Sequence, residues 1–148
     1  MNILDFEENY NFYKKYHTDP TNRLIHIICI PLIVWSASIL LSHIKITTNF
    51  NLSQCLLFMY SIYYLLFSFK LGLVMCILFY LIYNLSLTFK KTQKLYFFKA
   101  FMIQIIAWTL QILGHILFEN NRPAFLDNLT QSFLMAPIFV LNEISTLF

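Results

Sequence analysis

The sequence predicts an all-α, polytopic membrane protein. It has about four transmembrane helices, an N-terminal interfacial helix and a C-terminal segment inserted partway, in one membrane-embedded domain over residues 1–148. Three observations carry this reading. Hydrophobic residues make up 59% of the chain and charged residues only 11%, against about 25% charged in ordinary soluble proteins. That is too few charges to cover a soluble fold of this size. Apolar runs of bilayer length recur between short polar loops, and lipid leaves a backbone no partner but itself, so such runs must be helical.

The polar, aromatic stretch from Asn2 to Arg23 comes first. Leu4, Phe6, Tyr10, Phe12, Tyr13 and Tyr16 interleave irregularly with charges, which suits a short amphipathic helix at the membrane surface. Acidic residues precede the bases and no apolar core follows directly, unlike a secretory signal. Leu24 to Ser42 is the first span; its 19 residues reach about 28 Å, one hydrocarbon core. The loop HIKITTNFN closes it. Leu52 to Phe89 is too long for one span, and Lys70 and Gly72 interrupt it near the middle, predicting two helices and a tight turn. The basic loop KKTQK leads into the fourth span, Phe97 to Phe118. After ENNRPA, the segment Phe125 to Phe148 is broken by Asp127, Asn128, Pro137 and Glu143 and is expected at the interface or partway into the bilayer.

The bases give no orientation. Lys14, Lys15, Arg23, Lys70 and Arg122 fall on one side, Lys45, Lys90, Lys91, Lys94 and Lys99 on the other, a tie under the positive-inside rule. A net charge of +3 with scattered bases offers nucleic acid no patch. Two glycines in the whole chain exclude G-x-G-x-x-G and Walker loops. Cys29, Cys55 and Cys76 lie in apolar runs without a C-x-x-C pair and read as reduced packing residues. There is no H-E-x-x-H for a zinc protease and no G-x-S-x-G elbow. A desaturase-type di-iron site needs about twice as many histidines.

Four spans bring the start of the first helix and the end of the fourth to the same membrane face. His17, Asn22 and His26 therefore meet His115 and Glu119, while His43 falls on the opposite side. Gln111, His115 and Glu119 follow at i, i+4 and i+8 along one helix face, where lipid makes them costly unless satisfied. Three imidazoles and a carboxylate suit a divalent metal, and two histidines plus a carboxylate is the arrangement of non-haem iron oxygenases. His115 and Glu119 can face one ion, and Gln111 can hydrogen-bond a ligand from behind. Blander readings stand beside this. His17 is then a solvated turn residue and His26 an interfacial anchor, Glu119 pairs with Arg122, and Gln104 and Gln111 join helices by hydrogen bonds.

The residues also carry a resemblance. YKKYHTDPTNRLIHIICIPL, with His17, Asn22, His26 and Pro31, resembles the opening of the small integral-membrane family of 2-hydroxy fatty acid dioxygenases, which act in phytosphingosine breakdown. A second block matches in Gln111, Gly114, His115, Phe118, Glu119, Pro123 and Ala124, and a third in Pro137 and Glu143 of LMAPIFVLNEI. Cys29 departs from the family pattern, standing where glycine is usual.

The resemblance implies an iron(II)-dependent enzyme of fatty-acid α-oxidation that takes a 2-hydroxy long-chain fatty acid and dioxygen to the acid one carbon shorter. It implies His17, His26, His115 and Glu119 at the metal, with Glu119, Glu143, Asn22 and Gln111 as catalytic candidates. Glu143 is expected near the histidines, as a ligand or as partner to one. The expected location is the endoplasmic reticulum in a eukaryote and the inner membrane in a bacterium. The competing reading from another class is a non-catalytic lipid-binding or assembly protein whose polar stripe only joins helices.

Overall fold

A computed structural model describes residues 5–120, 123 and 126–145. Among them are six α-helices, a π-helical turn and no strand. The helices are α1 (Phe6–Lys14), α2 (Pro20–Leu41), α3 (Leu52–Phe67), α4 (Phe69–Thr92), α5 (Tyr96–Gly114) and α6 (Leu129–Ser145), with the π turn over His115–Glu119 directly after α5. Three helices are long and apolar enough to cross a membrane: Pro20–Leu41, Phe69–Thr92 and Tyr96–Glu119. The apolar α3, with 16 residues, reaches only about 24 Å. The described helices group into two compact units, one of Met1–Pro31 with Ile106–Phe148 and one of Leu32–Ile105.

In the Leu32–Ile105 unit, α3 and α4 form a hairpin. Asn51 caps α3 through a capping box with Gln54, each side chain serving the other's backbone amide. The break comes at Ser68, two residues before the expected interruption at Lys70. Ser68 is extended (φ −159°, ψ 125°) and its hydroxyl accepts from the Leu71 amide, so it ends one helix and caps the next. Gly72 then lies where the helices touch. A Cβ there would stand 2.5 Å from the Leu65 Cα, so no larger residue fits. Polar groups tie this unit internally, as lipid-embedded helices need. The Gln104 amide donates to the Ile33 carbonyl at 2.7 Å and the Ser36 hydroxyl at 2.8 Å. Lys90 donates to the Ser42 hydroxyl at 2.7 Å. Outward positions such as Leu66, Phe69 and Tyr80 are apolar and exposed, which suits a hydrocarbon surrounding. Cys29, Cys55 and Cys76 are all free thiols.

The second unit combines α1, the start of α2, the end of α5, the π turn and α6. Asp5 caps α1, accepting from the Glu8 amide at 3.0 Å, and Glu7, Glu8 and Lys14 sit with the correct sign at its two ends. α1 packs on α6: Phe139 lies 4.9 Å from Tyr13 between ring centroids, and the Asn142 amide donates to the Tyr10 hydroxyl at 2.6 Å. α2 begins four residues before the apolar run, at Pro20. Asp19 caps it, its Oδ1 accepting from the Thr21 and Asn22 amides at 2.7 and 3.2 Å. Proline fits the first helical position, where no amide bond is lost. Asn22 and His26 are therefore helical, in the first two turns. α6 runs continuously through Pro137.

Candidate metal centre

Three histidines from three places in the chain meet in the second unit. His17 sits between α1 and α2, with its ring stacked flat on Tyr13 at 4.1 Å. Its Nδ1 faces the Tyr13 carbonyl at 2.8 Å. His26 repeats the arrangement one helix later, with its Nδ1 at 2.9 Å from the Asn22 carbonyl. A carbonyl only accepts, so the proton of each neutral ring belongs on Nδ1 and the lone pair on Nε2. His115 opens the π turn. All three rings are buried, with centroids 4.3 Å (His17–His26), 4.8 Å (His17–His115) and 4.9 Å (His26–His115) apart.

One nitrogen from each ring lies within 4.8 Å of the others. Nitrogens bound to one ion at about 2.1 Å stand at most about 4.2 Å apart, so a slight closing of the rings completes the set. The polar atoms agree: His17 Nε2 and His115 Nδ1 are buried without a hydrogen-bond partner. Orphaned atoms of this kind are costly unless something fills the site. Burial first, then the neighbouring His26 ring, push His17 down to about 2, against the pull of the Tyr13 carbonyl and with a further contribution from His115. It is a neutral imidazole at physiological pH. Three neutral imidazoles fit iron, zinc or copper, so the residues present suit a divalent transition metal.

Glu119 does not line this cluster. Its Oε2 accepts from the Thr18 hydroxyl at 2.6 Å, and its Oε1 accepts from the Asp19 amide at 2.9 Å and the Asn22 side-chain amide at 3.0 Å. The carboxylate thereby clamps the turn that joins His17 to α2. Glu119 is the last residue of the π turn that His115 opens. Asn120 closes it in the left-handed region (φ 49°), its amide bonded to the His115 carbonyl. Asparagine takes that conformation more readily than most residues.

A cavity of about 50 Å³ lies against the histidines, lined among others by Tyr13, Trp108, Gln111, Pro123, Ser132 and Phe133. Trp108, Gln111, Ile112 and His115 reach it from one face of a single helix, spaced i, i+3, i+4 and i+7. Its lining mixes polar groups, the imidazoles, Gln111 and Ser132, with apolar ones, Trp108, Ile112, Phe133 and Ala136.

Comparison with known proteins places this arrangement. The family model described as 2-hydroxy-palmitic acid dioxygenase Mpo1-like matches residues 3–147. The chain belongs to this family. A relative in Saccharomyces cerevisiae, the 2-hydroxy-palmitic acid dioxygenase MPO1, is 37% identical over 147 residues, covering 95% of this chain and 80% of the relative. No solved structure matches the chain.

In this Mpo1-like chain the expected site residues fall into three groups. His17, His26, His115 and Gln111 surround the cavity. Asn22 and Glu119 are bonded to each other outside it, with Asn22 supplying the carbonyl that holds His26. Glu143 pairs with Arg23, Oε2 to a guanidinium nitrogen at 3.0 Å, tying the end of α6 to the start of α2; it does not line the cavity. His43 is exposed and stacks on Tyr96 at 5.6 Å. Arg122, the partner considered for Glu119, and Ala124 of the second block lie outside the described residues.

Two polar lining groups were not singled out from the sequence. Tyr13 stands four residues before His17, the same offset that separates Asn22 from His26, and that repeated spacing is a usable signal. Ser132 had none, being one serine among several in an apolar helix.

Proposed function

We propose that this chain is an iron(II)-dependent dioxygenase, an oxidoreductase that shortens 2-hydroxy long-chain fatty acids by one carbon. The observation that carries the reading is the buried trio His17, His26 and His115, two of them with Nδ1 committed to backbone carbonyls and Nε2 left to donate. Membership of a family described by 2-hydroxy-palmitic acid dioxygenase activity supplies the substrate class. The atoms balance without a co-reductant: a 2-hydroxy acid and dioxygen give the shorter acid, carbon dioxide and water. The bond broken lies between C1 and C2.

The three histidines would hold the iron, which when bound supplies the redox centre for dioxygen chemistry. The remaining roles belong to the protein. The Tyr13 and Asn22 carbonyls hold the His17 and His26 rings in orientation and tautomer. Glu119, through Thr18, Asp19 and Asn22, fixes the turn that carries His17 toward His26. Trp108, Ile112, Phe133 and Ala136 offer the acyl chain an apolar wall and keep water from the reacting end. The whole chain acts as one membrane-embedded domain, so substrate reaches the cavity from the bilayer.

The test uses full-length protein in detergent, loaded with iron(II) under anaerobic conditions. Given a 2-hydroxy C16 acid and dioxygen, it should release the C15 acid, detected by mass spectrometry. Metal-loaded protein that yields no shortened acid overturns the reading and leaves the non-catalytic lipid-binding alternative.

A further inference from the structure

The cavity holds two more polar groups that no contact within the described structure accounts for. Gln111 is 7% exposed and Ser132 is 5% exposed, and both line the space that the three histidines face. The Gln111 Nε2 and the Ser132 Oγ are buried without a hydrogen-bond partner. They come from different helices, α5 and α6, so they converge by tertiary structure and not by local sequence. A lone unsatisfied amide or hydroxyl is costly in an apolar interior. Two in one cavity point to a ligand that satisfies both.

Their chemistry narrows the ligand. An amide nitrogen has hydrogens to give and no lone pair to offer, and a serine hydroxyl can donate as well. Two donors in one cavity suit an acceptor with two oxygens. Among the described residues no lysine or arginine lines the cavity, so the donors that these residues offer an anion are neutral. Trp108, Ile112, Phe133 and Ala136 line the same cavity, which suits a molecule with an apolar body and one polar end.

We infer that Gln111 and Ser132 form the carboxylate clamp of the site, donating from Nε2 and Oγ to the C1 carboxylate of the fatty acid. This rests on the proposed activity and deepens it by naming positioning residues for that substrate. A clamp on C1 holds the bond between C1 and C2 in the cavity that the histidines line and leaves the acyl chain to its apolar residues. It also makes the free acid, and not its ester, the species bound, because an ester has lost the charge that strengthens both hydrogen bonds.

The experiment measures binding without turnover. Full-length iron-loaded protein, kept anaerobic in detergent, is titrated with a 2-hydroxy C16 acid and with its methyl ester. Wild type should prefer the acid. Ser132→Ala and Gln111→Leu should each weaken the acid by about tenfold or more, as expected for a hydrogen bond to a charged group, while leaving the ester nearly unchanged. Ser132→Thr, which keeps the hydroxyl, should restore the preference, and iron content should stay at the wild-type level throughout. A purely structural role would weaken both ligands alike. Equal losses for acid and ester, or an acid preference that survives both variants, overturns the clamp while leaving the activity standing. Wild type that binds neither ligand overturns the activity and the clamp together.

Discussion

A methyl group on Gly114 would stand 2.6 Å from the Asn22 Oδ1 and 3.3 Å from the Ile25 Cδ1. The absence of a side chain at Gly114 therefore lets α2 lie against the end of α5, one residue before His115. Asn22 is fully buried and bonded to Glu119, so it has little room to yield. Gly114→Ala should lower stability by about 1–3 kcal/mol, in the range for overpacking, and should reduce metal occupancy by displacing the His26 anchor. Thermal unfolding and metal content, measured on the same preparation, check both. Wild-type metal content in a folded variant would mean that α2 can shift without moving His26.

Replacing His17, His26 or His115 by alanine should each abolish tight metal binding, because two imidazoles rarely retain what three hold. His43→Ala should bind as wild type does, since that ring is exposed and stacks on Tyr96. Metal analysis of purified protein distinguishes the two outcomes. Equal occupancy in all four variants would dissolve the site.

Glu119→Gln should keep the fold and the metal. Its remaining carbonyl oxygen can accept from Asp19 and Asn22, and its new amide can donate to a rotated Thr18 hydroxyl. Glu119→Ala leaves three donors without their acceptor and should cost about 2 kcal/mol or more. A folded Glu119→Gln protein that loses its metal would instead make the carboxylate a ligand, the role expected from helical spacing.

Arg23 and Glu143 should couple by about 1 kcal/mol in a double-mutant cycle on stability, since one partner is largely buried and the other partly exposed. Glu143→Gln should keep wild-type turnover of a 2-hydroxy acid once stability is matched. A folded Glu143→Gln variant with turnover lost would bring the carboxylate into the chemistry.

His17 makes the metal-free protein acid-sensitive. Its folded pKa of about 2 lies below the unfolded value of 6.5, so the unfolded chain binds the proton more readily. The contribution of His17 is complete above pH 6.5 and declines as pH falls from there toward 2. Unfolding of metal-free protein at pH 7 and pH 5 should show the loss, and His17→Phe should flatten it. An unchanged pH slope in that variant would assign the acid sensitivity to other groups.

The long apolar helices were legible because length and hydropathy are local properties. The meeting of His17, His26 and His115 was expected from a count of four spans; three described helices have the length and hydropathy of a span, and α3 is a shorter apolar helix. The start of α2 was legible but overlooked: Asp19-Pro20 is a cap followed by proline at the first helical position, whereas hydropathy alone begins at Leu24. The fate of Glu119 was not legible. Nothing in HILFE, which has neither proline nor glycine, signals i→i+5 bonding, and the partners of Glu119, which are Thr18, Asp19 and Asn22, lie about a hundred residues earlier in the chain. The ion pair of Glu143 depends on where α6 docks, and its partner Arg23 is 120 residues away in sequence. Ser132 became visible only once α6 was laid against α5.

The distribution of the three imidazoles also sets an order of events at the ribosome. His17 and His26 are made early, but His115 follows almost ninety residues later, after two intervening apolar helices. No chain released before the end of α5 can carry the complete trio, and closing so long a loop has an entropic cost. Under the proposed function, metal loading is thus a late step in biosynthesis. It would reward only chains in which the start of α2 and the end of α5 have already met, and stabilise them by mass action. Cells short of the metal should accumulate full-length, inserted protein that is less stable to heat and protease, and a pulse of metal should rescue it without new synthesis.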